Sequence, residues 1–374
     1  MNQYEEICKD MGQRAKVASF ELAQIDQGTL DSALLAIADA VEAQTDEIMA
    51  ANQLDLDKSG DYNVPQTMID RLTLTPSRIS QMAEGVRQVA SIESPVGSVI
   101  ETITRPNGLV IEKRAVPFGV IGIIFEARPN VTIDAGVLCL KTANATILRG
   151  GKEAFHTNQI IVSIMRNTLE TLGITPDAIQ LVEVLDREMV GVLLQQREYI
   201  DVVIPRGGAG LIRRVVNESS IPVIETGSGV CHTFVDEYAN LDMALEIAIN
   251  AKVQRPSVCN SMETLLVHQA VAAEFLPRLD VALQEYGVRI HGDNAVAQYM
   301  GNTIPLTDDS FNTEYNDMDL NVRIVDTLEE AIDHVNLYST HHSEAIVTDE
   351  PMRAKVFMNL VDCSTVYHNA STRF

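Results

Sequence analysis

From Val116 onward the chain alternates short apolar, β-rich runs with amphipathic helical segments, and no other feature restricts its fold as strongly. Val120-Ile121-Gly122-Ile123-Ile124-Phe125 is apolar throughout, as expected of a strand covered on both faces. A helix over 131–142 and a strand over 145–148 complete a βαβ unit. Helices over 157–171, 187–195 and 211–216 then alternate with strands over 179–184, 200–204 and 222–225. Such alternation predicts a parallel sheet with helices on both faces. A helix over 241–251 leads to a second module beyond residue 259. Its predicted strands cover 262–268, 288–291, 319–325, 344–347 and 365–369, with helices over 270–286 and 328–337 and a short one ending near Met300. A chain of 374 residues is long enough for two domains with cores of their own.

The first ninety residues carry no chemical signal. Leu30, Leu34, Leu35, Ile37, Ala38, Val41 and Ile48 follow a helical period within a region, 2–56, that reads as helices. A further helix is predicted from about Pro65 to Ala90, with Ser77 as its N-cap. Between the helices and the α/β region, residues 98–104 and 109–114 alternate around Pro106-Asn107-Gly108, a hairpin signal. Such a strand edge is able to pair with another chain.

Composition excludes some functions. A net charge of −24 argues against a general nucleic-acid binder, and requires a local cationic pocket for any anionic substrate. The cysteines at 8, 139, 231, 259 and 363 are scattered and form no CxxC pair, so neither a metal site nor a disulfide framework is signalled. The acidic start Met1-Asn2-Gln3-Tyr4-Glu5-Glu6 is no signal peptide, and the apolar stretch 115–125 is too short to span a bilayer. The expectation is a cytoplasmic protein without a membrane partner.

Two kinds of segment carry chemistry. In Val253-Gln254-Arg255-Pro256-Ser257-Val258-Cys259-Asn260-Ser261-Met262, Pro256 turns the chain just before Cys259 and Arg255 is near enough in sequence to favour a thiolate. Cys259 reads either as a nucleophile or as a buried structural thiol. Arg149-Gly150-Gly151-Lys152 and Arg206-Gly207-Gly208-Ala209-Gly210 are glycine-rich turns that open helices, so each could expose N–H groups to phosphate beside a cation. No G-x-G-x-x-G fingerprint is present. His232 and His268 could serve a cysteine as bases, but read better as structural histidines.

Four segments carry a resemblance: Val116-Pro117-Phe118-Gly119-Val120-Ile121-Gly122, Glu126-Ala127-Arg128-Pro129-Asn130-Val131-Thr132, Gln254-Arg255-Pro256-Ser257-Val258-Cys259-Asn260 and Asn369-Ala370-Ser371-Thr372-Arg373-Phe374. They are similar to the gamma-glutamyl phosphate reductase branch of the aldehyde dehydrogenase superfamily. The resemblance implies an α/β, aldehyde-dehydrogenase-like fold of two parallel-sheet domains and a β-hairpin arm. The cofactor domain would be 1–97 with 117–227, the oligomerisation hairpin 98–116, and the catalytic domain 228–374. It further implies NADPH-dependent reduction of L-glutamate 5-phosphate to L-glutamate 5-semialdehyde, in proline biosynthesis. Cys259 matches the nucleophile, and Asn130 an asparagine of the oxyanion hole. Arg149 and Lys152 match positions at the cofactor ribose, Gly207 and Gly208 the turn under the pyrophosphate, and Glu314 the residue holding the nicotinamide ribose. A lysine where NAD-using relatives keep a carboxylate suits the 2′-phosphate of NADP. Glu225 stands where hydrolytic relatives keep a base; in a reductase it becomes a substrate or structural residue. Arg255 is the candidate contact for an anionic group. A homodimer or homotetramer and a functional link to glutamate 5-kinase are also implied. The family normally continues for a few dozen residues past the motif at which this sequence stops. The alternatives are a hydrolytic NAD(P)-dependent aldehyde dehydrogenase, with Glu225 as base, and an inactive fragment or scaffold.

Overall fold

The helical period of the N-terminal region becomes three successive helices in a computed structural model that describes residues 3–62, 69, 71–126, 128–225 and 229–373. These are α1 (Gln3–Leu22), α2 (Gln27–Ala43) and α3 (Thr45–Asp57). Leu30, Leu34, Ile37, Ala38 and Val41 form the buried stripe of α2, whereas Leu35 lies on its outer side, 46 % exposed. Helix α4 (Pro76–Ser91) is capped by Thr75, two residues before the predicted cap. Thr75 Oγ1 accepts from Arg78 N, and Pro76 occupies the first helical position, where its missing N–H costs nothing. Ser77 is inside the first turn, and residues 65–68 and 70 of the predicted helix lie outside the described residues.

Strands β1 (Val99–Thr104) and β2 (Val110–Arg114) form an antiparallel hairpin with every residue exposed. Gly108, at φ 86°, supplies the left-handed position of its turn. The α/β part follows: β3 (Val120–Phe125), α5 (Pro129–Lys141), β4 (Ala145–Arg149), α6 (Phe155–Thr171), β5 (Ile179–Leu181), α7 (Arg187–Leu193), β6 (Val202–Arg206) and α8 (Ala209–Glu218). The sheet is parallel, in the order β5-β4-β3-β6, and β3 is buried along its whole length. Helices on both faces cover it, which is why β3 shows no polar alternation. Residues 222–225 make only a bridge between Val223 and Val203 instead of the predicted strand. Pro222 has no N–H for a ladder, and Ile224 is already 46 % exposed.

The second compact unit begins at Gly227, after a first that ends at Thr226. It contains β7 (Cys231–Val235), α9 (Leu241–Val253), β8 (Met262–His268), α10 (Gln269–Glu285), β9 (Arg289–Gly292), β10 (Ile304–Pro305), β11 (Asp319–Val325), α11 (Leu328–Tyr338), β12 (Ser343–Val347), α12 (Pro351–Leu360) and β13 (Thr365–His368). The sheet order is β10-β9-β11-β8-β7-β12-β13, all parallel. Strand β7, unread in the sequence, lies between β8 and β12 and is buried throughout. Among the described residues no helix is long and apolar enough to cross a membrane.

One ion pair joins the end of α9 to the start of β8. Lys252 Nζ lies 2.7 Å from Glu263 Oε2, and both side chains are buried. Burial pushes the Glu263 carboxyl up to about 7, against the pull of Lys252. The other Glu263 oxygen accepts from Asn316 N at 3.2 Å. The pair thus closes the base of the segment that carries Cys259. Lys252→Met leaves a buried carboxylate without its cation, and is expected to cost about 3–5 kcal/mol in urea unfolding. Adding Glu263→Leu should restore most of that loss. Single and double variants of equal stability would contradict this role.

Candidate active site

In the C-terminal unit, α9 stops at Val253 because Arg255 precedes proline, and the chain turns into β8 through Val258–Ser261. Ser261 N donates to Val258 O at 3.0 Å, which places Cys259 half-exposed at the turn. The other four thiols are pushed up by burial: Cys8 and Cys363 to about 11, Cys139 to about 12, and Cys231 well above the ordinary value.

The peptide of Cys259 is held from one side by the segment entering β7. A Cβ on Gly229 would lie 1.5 Å from the Cys259 carbonyl oxygen, so only glycine permits this approach. The Cys231 thiol also donates to that oxygen, at 3.3 Å. Gly229 N donates to Glu314 Oε1 at 2.9 Å, and Val230 N to Thr340 Oγ1 at 3.0 Å. Gly229 therefore joins the cysteine turn, the Glu314 loop and the loop before β12.

Two further groups bear on this turn. Cys259 holds the His342 imidazole above its ordinary pKa, against the effect of partial burial. Arg255, the expected neighbour of the thiol, is exposed. Arg373 Nη1 donates to Asn260 Oδ1, so the terminal motif docks on the residue after Cys259. Thr372 Oγ1 and Arg373 Nε are buried and unpartnered among the described residues. His232 and His268 have structural partners: His232 Nδ1 is 3.1 Å from Glu344 Oε2, and His268 Nδ1 accepts from Ala270 N to cap α10.

The N-terminal unit holds the remaining candidates. Asn130 is exposed in the first turn of α5, with Nδ2 donating to Asp134 Oδ2 at 3.1 Å. Glu225 is exposed and follows the Val223 bridge. At the first glycine-rich turn the N–H groups opening α6 are already satisfied. Buried Asp55 accepts from His156 N, Thr157 N and Thr157 Oγ1 at 2.7–3.0 Å. An anion there would rely on side chains instead. Arg149 donates to Gly150 O and Leu185 O, its Nε is buried and unpartnered, and Arg187 and Arg214 add positive charge nearby. Lys152 is exposed, its ammonium 4.3 Å from the centre of the Tyr62 ring. At the second turn Glu126 Oε2 accepts from Gly208 N at 2.8 Å, and a Cβ on Gly207 would meet that same oxygen at 2.6 Å. A carboxylate of the chain itself thus occupies the anion seat at the start of α8. Among the described residues no cluster of ligating side chains could hold a metal.

Cys259 is displayed on a turn of a parallel α/β unit, as a thiol that is to react with a carbonyl has to be. The chain belongs to the aldehyde dehydrogenase family, whose model matches residues 3–304. Membership implies a nicotinamide cofactor. Within the family it groups with the gamma-glutamyl phosphate reductases. It is 48 % identical to that of Thermobifida fusca over the whole chain and 90 % of the relative, and 50 % identical to that of Moorella thermoacetica over 97 % and 87 %. The crystal structure of the gamma-glutamyl phosphate reductase of Thermotoga maritima matches with a TM-score of 0.95 and 40 % identity, covering 98 % of this chain and 89 % of that one.

The glycine at 229 has a direct consequence. Gly229→Ala should displace the Cys259 carbonyl and lower turnover about a hundredfold, on the usual cost of ångström-scale misplacement of a reacting group. Steady-state rates, with circular dichroism to verify folding, measure this. Undiminished turnover would show that Cys259 tolerates the shift.

Proposed function

We propose that the chain reduces L-glutamate 5-phosphate to L-glutamate 5-semialdehyde and phosphate with NADPH, through a thioester on Cys259, as a step of proline biosynthesis in the cytoplasm. The observation that carries this reading is the display of Cys259 on a turn anchored by Gly229, while burial pushes up the other four thiols. Similarity to curated reductases supports the choice of substrate.

The Cys259 sulfur attacks the carbonyl of the acyl phosphate, an already activated carbon, and phosphate departs. Asn130 and the Cys259 N–H are assigned to the oxygen that gains charge. NADPH, when bound, supplies a hydride. As the C–S bond breaks, the electron pair returns to sulfur, freeing the aldehyde and restoring the nucleophile. No water enters, so Glu225 needs no role as base. Arg373, rather than exposed Arg255, is the better candidate for an anionic part of the substrate, because its guanidinium lies against the residue after Cys259 and its Nε is unpartnered among the described residues.

The residues of the N-terminal unit fit NADP. Gly207 and Gly208 would lie under the pyrophosphate, which takes the seat of the Glu126 carboxylate. Arg149 and Lys152 would meet the 2′-phosphate, Arg149 with an unpartnered Nε to offer. Glu314 would hold the nicotinamide ribose by exchanging its bond to Gly229 N. The exposed β1–β2 hairpin suits pairing with a second copy, in a homodimer or homotetramer. Phosphoryl transfer to a carboxylate would supply the acyl phosphate, which is the ground for a functional link to glutamate 5-kinase.

Two measurements test this reading. Run in reverse with NADP and glutamate 5-semialdehyde, the protein should form NADPH only when phosphate is present, and Cys259→Ala should abolish it. Turnover without phosphate would instead favour the hydrolytic dehydrogenase. Replacing Arg149 by Ala and Lys152 by Glu should lower the preference for NADPH over NADH by roughly ten- to a hundredfold in kcat/KM, the worth of one or two charge-assisted bonds. An unchanged preference would remove these residues from the 2′-phosphate site.

A further inference from the structure

A cleft of about 710 Å³ in the N-terminal unit is lined by α1, α6 and the edge strand β5. That is room for a small metabolite. None of Asn130, Arg149, Lys152, Gly207, Gly208 and Glu225 lines it. Its two ends carry opposite charge. At one end Asp177 Oδ1 accepts from Arg14 Nη1 at 2.7 Å and from Arg166 Nη2 at 3.2 Å, so two guanidinium groups share one carboxylate. The further pair of Arg14 with Asp10 is an exposed i,i+4 contact, worth little. Arg14 Nη2 and Arg166 Nε have no partner among the described residues. Glu6 and Glu183 also line the cleft, and neither has a cation partner among the described residues. Helix α1 runs antiparallel to β5, because Tyr4 Oη donates to Asp186 beyond the strand while Arg14 reaches Asp177 before it. Glu6 and Glu183 are therefore at the end opposite the guanidinium groups. Gln180, 2 % exposed, lies between. Its Nε2 donates to Met11 O at 3.1 Å and Asp177 O at 3.4 Å. The amide is thereby oriented so that Oε1 is the atom left over, buried and without a donor among the described residues.

We propose that this cleft binds a free basic α-amino acid, of the lysine or arginine class. The α-carboxylate is held by Arg14 and Arg166, and the α-ammonium donates to Gln180 Oε1. The methylene stem lies along Ile7, Met11, Leu181 and Val184, and the cationic head meets Glu6 and Glu183. Length selects this class. Glu6 and Arg14 are about two turns apart on α1, roughly 12 Å along its axis. Their own side chains cover part of that distance, and a stem of about three or four methylenes spans the rest. A short zwitterion reaches only one end. A simple anion satisfies the guanidinium groups but leaves Gln180 Oε1 and both glutamates unmet. Two guanidinium groups fastened together are also the kind of local cationic site that a chain of net charge −24 needs in order to hold a carboxylate. The proposal does not depend on the acyl-phosphate reading.

The test is isothermal titration calorimetry of the whole chain with L-lysine and L-arginine. L-norleucine, which lacks the charged head, and cadaverine, which lacks the carboxylate, are the comparison ligands. The wild type should bind L-lysine or L-arginine saturably, one molecule per chain, and both comparison ligands roughly tenfold or more weakly. Arg14→Gln and Glu183→Gln, each checked by circular dichroism, should weaken binding of the basic amino acid by roughly tenfold or more, the worth of a charge-assisted bond. Glu183→Gln should also remove the preference over norleucine, and Arg14→Gln the preference over cadaverine. No saturable binding of either amino acid would overturn the proposal and leave water as the partner of Gln180. Binding that both variants leave unchanged would overturn it as well. Should a variant fail to fold, the wild type alone decides, since equal affinity for lysine, norleucine and cadaverine contradicts a site that reads both charges. Loss of the phosphate-dependent reaction has no bearing on this readout, so the two readings fail separately.

Discussion

The close approach of the Gly229 backbone to the carbonyl of Cys259 organises the C-terminal unit. A single Cβ at 229 would fill the space that the cysteine peptide uses. Through Gly229 and Val230 the cysteine turn is joined to Glu314 and Thr340, and Cys259 holds the His342 imidazole above its ordinary pKa. The base of the turn is closed independently by Lys252 and Glu263, whose second oxygen reaches Asn316 in the Glu314 loop. The cysteine turn is thus positioned by backbone packing and buried electrostatics.

Anion recognition in the N-terminal unit follows from the same economy of backbone groups. Each helix that opens from a glycine-rich turn needs partners for its first N–H groups. At α6 Asp55 meets that need from a buried position, so the proposed phosphate site there relies on the side chains of Arg149 and Lys152. At α8 the partner is Glu126, half-buried at the end of β3, which the proposed cofactor would have to replace. Two turns of similar sequence therefore differ in which carboxylate of the chain takes up their N–H groups, Asp55 at one and Glu126 at the other.

Much of the fold was legible because buried parallel strands and amphipathic helices have distinct periods: β3, β8 and β11 fall where the apolar runs place them. Strand β7 escaped because Cys231-His232-Thr233-Phe234-Val235 mixes polar residues into a fully buried run, of which Glu344 meets His232 N and Nδ1. The predicted strand at 222–225 failed at Pro222. Cys259 could be singled out by its turn, and Asn130, Lys152 and Glu314 by resemblance. His342 could not, since nothing near it in sequence marks it. It is brought towards Cys259 only through the pairing of β12 with β7 and of β7 with β8. The contact of Arg373 with Asn260 was equally hidden, although both motifs had been recognised separately.

The central claim is that Cys259 carries the acyl group between phosphate and hydride. The most direct measurement is intact-protein and peptide mass spectrometry after incubation with NADP and glutamate 5-semialdehyde in the absence of phosphate. The account predicts a glutamyl thioester on the Cys259 peptide that disappears on adding phosphate. A chain that stays unmodified, an adduct on another residue, or one that phosphate does not discharge would contradict it.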